Sequence, residues 1–199
     1  MITVDNFITD DECERLIELG ANEGYERSTN VGAKKYDGTF DHQKSETRTS
    51  ENSWCFGDCS TDPLVQTAMK RIELLTGVPD SHSEFLQLLR YETGQFYRTH
   101  HDYIEHDREK RQGPRILTAF LYLNDVEAGG GTNFPDLDLT VMPKKGRLLL
   151  WPSVTDSDLT KEDVTTRHQA LEVEGGRKYG ANAWLHLRDF KTPNEDGCI

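Results

Sequence analysis

The sequence predicts a mainly β fold, an antiparallel barrel or jelly roll with helices packed on its outside. Three observations lead to this prediction. Two stretches within the first 80 residues carry apolar side chains at helical spacing, whereas from about residue 84 the apolar side chains alternate or form short runs. Clusters of Gly, Pro and Asp separate about eight such runs. The 199 residues suit one domain, or one with a small appendage.

The first helix is predicted to begin after Thr9 and to end at Gly20. Thr9 and Glu12 have the spacing of a capping box, in which each side chain accepts a hydrogen bond from the other residue's backbone N–H. Cys13 and Leu16 follow at helical spacing, on a face that we expect to cover the sheet. Cys13 is therefore predicted to be a buried core thiol.

The second helix is predicted to begin at Pro63, because proline suits the first helical position, and to end at Gly77, ahead of Pro79. One apolar stripe indicates that this helix also packs on the sheet. The stripe consists of Leu64, Val65, Ala68, Met69, Ile72 and Leu75.

Between the two helices, residues 26–60 form a long polar stretch. Such a stretch in a compact domain is usually a functional loop or disordered. Near its end, Cys55 and Cys59 enclose three residues. They could form a short disulfide in an oxidising compartment, or they could be two unrelated thiols. A zinc site is less favoured, because no second Cys/His pair lies nearby in the sequence.

The strands are predicted in the second half of the chain. The candidates are residues 84–91, 97–103, 115–123, 132–134, 138–142, 147–151, 167–174 and 177–188. This pattern predicts an N-terminal support region of helices and loop over residues 1–83 and a β core over 84–191. Residues 192–199 are expected to be a flexible tail.

The charge balance narrows the possible partners. The formal net charge is −12 and the pI is near 5.0, which argues against non-specific binding to nucleic acid or to anionic membrane surfaces. No apolar run approaches the roughly 18 residues of a membrane span, and the first residues do not resemble a signal peptide. We therefore expect no nucleic-acid partner and no membrane insertion of this chain.

One short motif indicates metal chemistry. His100 and Asp102 are two apart on a predicted strand, so their side chains point to the same face. A pair of this kind is weak by itself, and it becomes a 2-His-1-carboxylate iron site only with a second histidine. His168 is the natural candidate, because it begins a later strand. The remaining histidines are weaker candidates for the third ligand. His42 and His82 lie in polar loops and are expected to be solvated. His101 should face away from His100 and Asp102, and His106 lies in a charged loop.

A late strand carries a lysine on an unusual face. Strict alternation places Lys178, Asn182, Trp184 and His186 together, a polar and aromatic set that suits the lining of a pocket. An inward lysine is costly unless an anion meets it, and a dicarboxylate would supply one. The alternative is a shift of register or a bulge that exposes Lys178.

Short motifs along almost the whole chain carry a family resemblance. They are Asp5-Asn6-Phe7, Arg48-Thr49-Ser50, Tyr91-x-x-Gly94-x-x-Tyr97-x-x-His100-x-Asp102, Arg115-x-x-Thr118, Gly129-Gly130-x-Thr132-x-Phe134-Pro135, Pro143-Lys144-x-Gly146, and His168 with Lys178. In this order and at these spacings, the chain resembles the prolyl 4-hydroxylases among the Fe(II)/2-oxoglutarate dioxygenases. The resemblance implies a double-stranded β-helix, which is a jelly roll, with supporting N-terminal helices.

The resemblance also implies an activity and a catalytic site. The expected reaction is hydroxylation of a peptidyl proline at carbon 4 with O₂, coupled to conversion of 2-oxoglutarate to succinate and CO₂, with L-ascorbate rescuing oxidised iron. Fe(II) would be held by His100, Asp102 and His168. Lys178 would pair with the distal carboxylate of 2-oxoglutarate, a lysine typical of the collagen and plant types. Three hydroxyls are expected to line the same pocket, those of Tyr91, Thr118 and Thr132.

A proline-rich peptide or protein is the implied substrate. Arg115, Trp184 and His186 match positions that face the target proline in the family, and Tyr97 is a further candidate for the groove. Arg48 belongs either to a lid over the peptide or to an ordinary surface salt bridge. An extended polyproline II peptide would suit such a groove, because its shape is already set.

Two other interpretations remain open from the sequence. The chain could be an Fe(II)/2-oxoglutarate oxygenase for free proline or another residue, or it could be a jelly-roll module without activity, including a zinc-bound one. Residues 147–154 depart from the family pattern, and we expect the difference to lie at the rim of the site. The compartment is expected to be the endoplasmic reticulum lumen or secretory pathway if the chain is a trimmed eukaryotic protein, and the cytoplasm otherwise.

Overall fold

Two antiparallel sheets form the centre of the computed structural model, which describes residues 1–34, 40–44, 46–195 and 197. The helices are α1 (Asp10–Glu23), α2 (Gly57–Thr61), α3 (Pro63–Thr76) and α4 (Lys191–Glu195). The strands are β1 (Ile2–Val4), β2 (Glu26–Arg27), β3 (Thr29–Lys34), β4 (Phe40–Lys44), β5 (Glu51–Trp54), β6 (Gln87–Tyr91), β7 (Tyr97–His100), β8 (Arg115–Tyr122), β9 (Ala128–Gly129), β10 (Thr132–Phe134), β11 (Leu139–Val141), β12 (Leu148–Pro152), β13 (Val154–Thr155), β14 (Asp158–Glu162), β15 (His168–Ala170), β16 (Val173–Gly175) and β17 (Lys178–His186).

The larger sheet has the order β1-β12-β8-β17-β6-β5-β2, and the smaller sheet has the order β11-β10-β15-β7. Neighbours in both sheets are antiparallel, and most are distant in sequence, as in a jelly roll. The predicted mainly β fold with N-terminal helices is confirmed. Strands β1, β2 and β5 come from the predicted support region and extend the larger sheet, so that region supplies strands as well as helices.

Alternation along the central strands produces two separate hydrophobic layers. Leu121 on β8 and Ala183 on β17 face the helices and pack with residues such as Leu16 of α1. Phe120, on the other face of β8, packs toward the smaller sheet with residues such as Phe134. The helices therefore cover one face of the larger sheet, and the space between the two sheets is left for the site.

Helix α1 has the predicted capping box, since the N–H of Thr9 donates to Glu12 Oε2 at 2.7 Å and the N–H of Glu12 donates to Thr9 Oγ1 at 3.2 Å. Cys13 is fully buried, as predicted. The predicted end at Gly20 is wrong, because the helix continues to Glu23. A Cβ on Gly20 would overlap the ring of Tyr25, so this glycine permits close packing inside the helix.

Helix α3 has its predicted bounds, with Asp62 as N-cap and Gly77 as a left-handed C-cap at φ 72°. Leu75, however, is 41% exposed and lies outside the buried stripe. None of the helices in the described part of the chain combines the length and apolar character needed to span a membrane.

The polar stretch at 26–60 is more regular than predicted, because it contains β2 to β5 and α2. Strand β5 is polar because its two faces meet polar surroundings: Ser53 donates to the carbonyl of Gly20 at 3.2 Å, and Asn52 lines the cavity between the sheets. The Cys55–Cys59 disulfide is present. The prediction for His42 concerns a side chain outside the described residues.

Several strand predictions need correction. The expected strand at 167–174 is two strands, β15 and β16, which lie in different sheets. The strand expected at 97–103 ends at His100, and the sequence did not reveal β9, β13 or β14. Helix α4 lies at the start of the expected tail, of which residues 196, 198 and 199 are outside the described part.

Candidate active site

A cavity of about 680 Å³ lies between the two sheets and receives side chains from both. Strands β5, β6, β8 and β17 of the larger sheet form one wall, and β7, β10 and β15 of the smaller sheet form the opposite wall. His100, Asp102 and His168 lie at one side of this cavity, and Lys178 lines it as well.

The two histidines meet because their strands are neighbours. His100 ends β7, His168 begins β15, and the two residues are directly paired in the ladder. His100 Nε2 is 3.9 Å from Asp102 Oδ1, and His168 Nε2 is 3.6 Å from Asp102 Oδ2. One ligand atom from each of the three residues lies within 4.8 Å of the others. Three donors converge on one point, as the sequence predicts.

Backbone carbonyls fix both imidazoles in the orientation that metal binding needs. His100 Nδ1 is 2.9 Å from the carbonyl oxygen of Arg98, and His168 Nδ1 is 3.1 Å from that of Thr166. Each Nδ1 therefore carries the hydrogen that it donates, and each Nε2 keeps a free lone pair. This donor set of two neutral imidazoles and a carboxylate fits Fe(II) and leaves coordination positions open.

The protonation states agree with this arrangement. Burial and the neighbouring His168 lower the pKa of His100 to about 3, and burial also lowers the pKa of His168. Burial alone would raise the pKa of Asp102, but the two histidines hold that pKa at about 2. Near neutral pH the site thus contains one carboxylate and two uncharged imidazoles.

Thr118 has a different place from the one predicted. Its hydroxyl donates to Asp102 Oδ2 at 2.7 Å, and its side chain is fully buried behind the carboxylate. The expectation that Thr118 lines the co-substrate pocket is therefore corrected, because Thr118 is outside the cavity lining and its hydroxyl orients Asp102. No sequence signal distinguishes these two roles, since both place the hydroxyl near the site.

Lys178 is buried, with 1% of its surface exposed, and lines the cavity as predicted. Its Nζ donates to the carbonyl of Gly130 at 2.7 Å, and the aromatic rings of Tyr91, Phe120 and Tyr122 surround it at 5.2 to 5.4 Å. No carboxylate among the described residues pairs with it, and burial lowers its pKa to about 7. A buried amine without an anion is a ready site for a carboxylate ligand.

Two predicted hydroxyl residues lie in the same part of the cavity. Tyr91 is paired with Lys178 across β6 and β17, and Thr132 lines the wall from β10. The Thr132 hydroxyl accepts a hydrogen bond from Tyr122 Oη at 2.7 Å. Tyr122 was missed by sequence reasoning, because it looks like one more apolar residue of β8.

Arg48 and Tyr97 lie in the cavity near the metal ligands. Arg48 is 8% exposed, donates to Gln87 Oε1 at 2.9 Å and stacks over Tyr97 at 4.8 Å. The surface salt-bridge interpretation of Arg48 is therefore wrong. The ring of Tyr97 stacks on His100 with centroids 3.6 Å apart, so it covers one face of this ligand.

Arg115 lines the cavity and is held by Glu84. Its Nε and Nη2 donate to the Glu84 carboxylate at 2.5 and 3.0 Å, and its guanidinium lies 3.9 Å from the ring centroid of Trp184. Burial alone would raise the pKa of Glu84, but Arg115 and His186 lower it to about 2. Sequence reasoning missed Glu84, because a lone acidic residue before a strand carries no signal of its own.

His186 does not line the cavity, contrary to the strict alternation assumed for β17. Its ring is buried between the carbonyl of Gly113 at 2.7 Å and Glu84 Oε1 at 2.8 Å. The ladder between β17 and β8 is irregular beside it, because Ile116 of β8 is an extra residue between the partners of Leu185 and His186. His186 thus supports Glu84, and direct contact with a peptide is not available to it in this arrangement.

His101 and His82 are engaged by hydrogen-bond partners of their own. His101 Nε2 donates to the carbonyl of Asp163 at 2.8 Å, and its Nδ1 accepts from the N–H of Tyr103 at 2.8 Å. His82 is not simply solvated, since its Nδ1 is 3.3 Å from the carbonyl of His186. His106 also lines the cavity, and its Nε2 lies 3.7 Å from Asp107 Oδ1.

The departure from the family pattern at 147–154 reaches deeper than its predicted place at the rim. Trp151 lines the cavity, and its ring lies 4.7 Å from that of His168. Phe134 packs on the same histidine at 5.6 Å. These two rings make the metal side of the cavity apolar, which explains part of the burial of His168.

The comparisons with known proteins agree with this geometry. Residues 86–186 match the model of the 2OG-Fe(II) oxygenase superfamily. The chain is 34% identical over 208 residues to probable prolyl 4-hydroxylase 10 of Arabidopsis thaliana, covering 94% of this chain and 68% of that protein. It is 39% identical over 153 residues to prolyl 4-hydroxylase subunit alpha-1 of Rattus norvegicus, covering 73% of this chain and 28% of that protein. The viral collagen prolyl hydroxylase of Paramecium Bursaria Chlorella virus-1, solved as a 2OG complex, has a TM-score of 0.69 at 26% identity, covering 93% of this chain and 94% of the viral one.

Proposed function

The chain belongs to the 2OG-Fe(II) oxygenase superfamily and, within it, to the prolyl 4-hydroxylase family, and from this premise we propose that it hydroxylates peptidyl proline at carbon 4. One observation carries the proposal. The 2-His-1-carboxylate set and a buried lysine without an anionic partner line the same cavity, where one dicarboxylate could meet both.

His100, Asp102 and His168 would hold the iron through Nε2, a carboxylate oxygen and Nε2. When bound there, Fe(II) supplies the oxidative chemistry in which O₂ and 2-oxoglutarate give succinate, CO₂ and one oxygen atom for the substrate C–H bond. The protein contributes neutral imidazoles and an ionised carboxylate without any change of protonation near neutral pH. Thr118 keeps Asp102 in orientation through its hydrogen bond.

Lys178 would bind the distal carboxylate of 2-oxoglutarate, with Tyr91 and Thr132 contributing hydroxyls. The ammonium already has one carbonyl partner, at Gly130, so it is held in place before the ligand arrives. The surrounding aromatic rings exclude water, which strengthens the attraction between the ammonium and a carboxylate.

The target proline would enter between the remaining cavity residues. Arg48, Tyr97, Arg115 and Trp184 line the same cavity as the metal ligands, and Tyr97 stacks on His100. The aromatic faces suit a pyrrolidine ring, and the guanidinium groups can donate to peptide carbonyls. A proline-rich segment in polyproline II conformation fits this role, because its carbonyls have no internal partners.

Two further parts of the proposal concern the reductant that the enzyme uses and the compartment in which it acts. We propose L-ascorbate as the reductant that restores iron after turnover without substrate. The Cys55–Cys59 disulfide supports an oxidising compartment, the endoplasmic reticulum lumen or secretory pathway in a eukaryote. Omitting ascorbate should shorten the linear phase of turnover, and disulfide mapping of protein taken from its native compartment should find the bond intact.

The test of the proposed function is succinate formation from 2-oxoglutarate by the Fe(II)-loaded protein, with and without a proline-rich peptide. We expect the peptide to stimulate succinate formation and to gain one oxygen atom for each succinate formed. Stimulation by free proline alone, or oxygen gained by another residue type, would assign the site to a different substrate. Absence of succinate under all conditions would overturn the proposal.

A further inference from the structure

Four aromatic rings form a row that leads from the cavity to the surface. Trp184 and Trp54 have ring centroids 6.1 Å apart, and Trp54 and Phe56 are stacked at 6.0 Å with an interplanar angle of 17°. Phe85 meets the edge of Phe56 at 5.0 Å. The two tryptophans line the cavity, whereas Phe56 is outside its lining and 49% exposed. We refer to these four residues as the aromatic row.

The outer end of the aromatic row is held in place by the backbone that carries it. Phe56 lies between Cys55 and helix α2, and the Cys55–Cys59 disulfide closes this short segment. The N–H of Cys55 also donates to the carbonyl of Leu86 at 2.9 Å. The exposed ring of Phe56 is thus fixed next to Trp54 by covalent and backbone contacts, although half of it faces water.

The inner end of the aromatic row has an unused donor. The indole Nε1 of Trp184 is buried and has no hydrogen-bond partner among residues 1–34, 40–44, 46–195 and 197. A buried donor without a partner is costly, and Trp184 faces the substrate cavity. A ligand with a carbonyl oxygen beside an apolar ring could accept a hydrogen bond from the indole N–H and also pack against the indole ring.

The length of the aromatic row suits a short extended proline-rich chain. Polyproline II rises by about 3.1 Å per residue and has three residues per turn, so a chain laid along the row presents a ring to it about once per turn. The first two steps of the aromatic row are 6.1 and 6.0 Å. Proline-rich segments dock into aromatic-lined grooves because their shape is preset and their carbonyls are free.

Resting on the proposed function, we propose that the aromatic row is an outer subsite that binds prolines flanking the hydroxylated one. The occupant is the substrate peptide itself, because the row is continuous with the cavity that receives the target residue. The two steps from Trp184 to Phe56 correspond to about four residues of polyproline II. The subsite would therefore select substrates with several consecutive or closely spaced prolines.

The test is a Phe56→Ser variant assayed with two peptides, one of about ten prolines and one of about three residues that is too short to reach Phe56. We expect KM for the long peptide to rise about 3- to 10-fold, the value of one lost aromatic contact, while KM for the short peptide and both kcat values stay unchanged. Leu74→Ser is the matched control, because Leu74 is 74% exposed on α3 and outside the aromatic row.

Equal changes of KM with both peptides, no change with either, or the same effect in the Leu74 variant would overturn the subsite proposal. The proposed function would survive each of these results. Failure of the wild-type protein to hydroxylate either peptide would contradict the proposed function itself, so the two failures are distinguishable.

Discussion

The lowered pKa of Lys178 predicts a pH dependence of 2-oxoglutarate binding. The free protein has a lysine pKa of about 7, caused by burial. The dicarboxylate pairs with the protonated amine, so binding draws a proton onto Lys178 whenever the pH is above this value. Affinity is then highest below pH 7 and falls as the pH rises through the pKa of the free protein.

The size of the effect follows from the titration of one group. With a pKa of about 7, the protonated fraction of Lys178 falls from about one half at pH 7 to about one hundredth at pH 9. The apparent Kd should therefore rise about 50-fold over this range, and binding at pH 8 should take up about 0.9 proton. His100 and His168 are already neutral there, and the raised pKa values of Tyr91 and Tyr97 keep both phenols protonated.

The assay is isothermal titration calorimetry of the Mn(II)-loaded protein with 2-oxoglutarate, in buffers of different ionisation enthalpy. Lys178→Arg is the control, because a guanidinium stays charged over the whole range and its affinity should be independent of pH. Lys178→Met should bind weakly at every pH, also without a pH trend. A constant wild-type Kd between pH 7 and 9, or an equal slope in the arginine variant, would refute this reasoning.

Three further substitutions test other parts of the site. His168→Ala should abolish turnover and lower the metal retained after dialysis, measured by elemental analysis; wild-type metal content would contradict its role as a ligand. Thr118→Val should weaken metal binding about 10- to 100-fold, because Asp102 loses its orienting hydroxyl, whereas 2-oxoglutarate affinity at saturating metal should not change. If Thr118→Val lowered only the affinity for 2-oxoglutarate, this would contradict the role in orienting Asp102 and support the predicted role in the co-substrate pocket. Glu84→Gln should lower the free energy of unfolding by about 3–5 kcal/mol in urea titrations and raise the peptide KM, because Arg115 loses its buried partner; an unchanged unfolding midpoint would contradict this.

The fold was largely predictable because its signals are local. The alternation along β8 and β17, the capping box at Thr9 and the left-handed cap at Gly77 each depend on neighbouring residues. The errors arose where contacts between residues far apart in the sequence determine the local structure. Gly20 looks like a helix end in the sequence, but packing against Tyr25 explains it. Likewise, β5 looks like a loop because its polar residues face a helix carbonyl and a cavity.

The candidate site was likewise predictable where local patterns determine it and not where contacts between distant residues do. Spacing and alternation predicted the set of His100, Asp102 and His168 and, separately, an inward Lys178. The family resemblance placed all four in one site, and the structure brings them to one cavity. Which hydroxyl supports the metal and which one lines the pocket depends on distances of a few ångströms between strands. His186 likewise lies outside the cavity lining, because Glu84 and the carbonyl of Gly113 hold its ring, and alternation alone gave no sign of these contacts.

The identity of the hydroxylated carbon tests the central claim most directly. A proline-rich peptide incubated with the Fe(II)-loaded protein, 2-oxoglutarate and O₂ would be hydrolysed, and its hydroxyproline isomers separated by chromatography and mass spectrometry. We predict 4-hydroxyproline in the wild-type reaction and none with His168→Ala. Hydroxylation at another carbon or on another residue, or an unmodified peptide, would contradict the account.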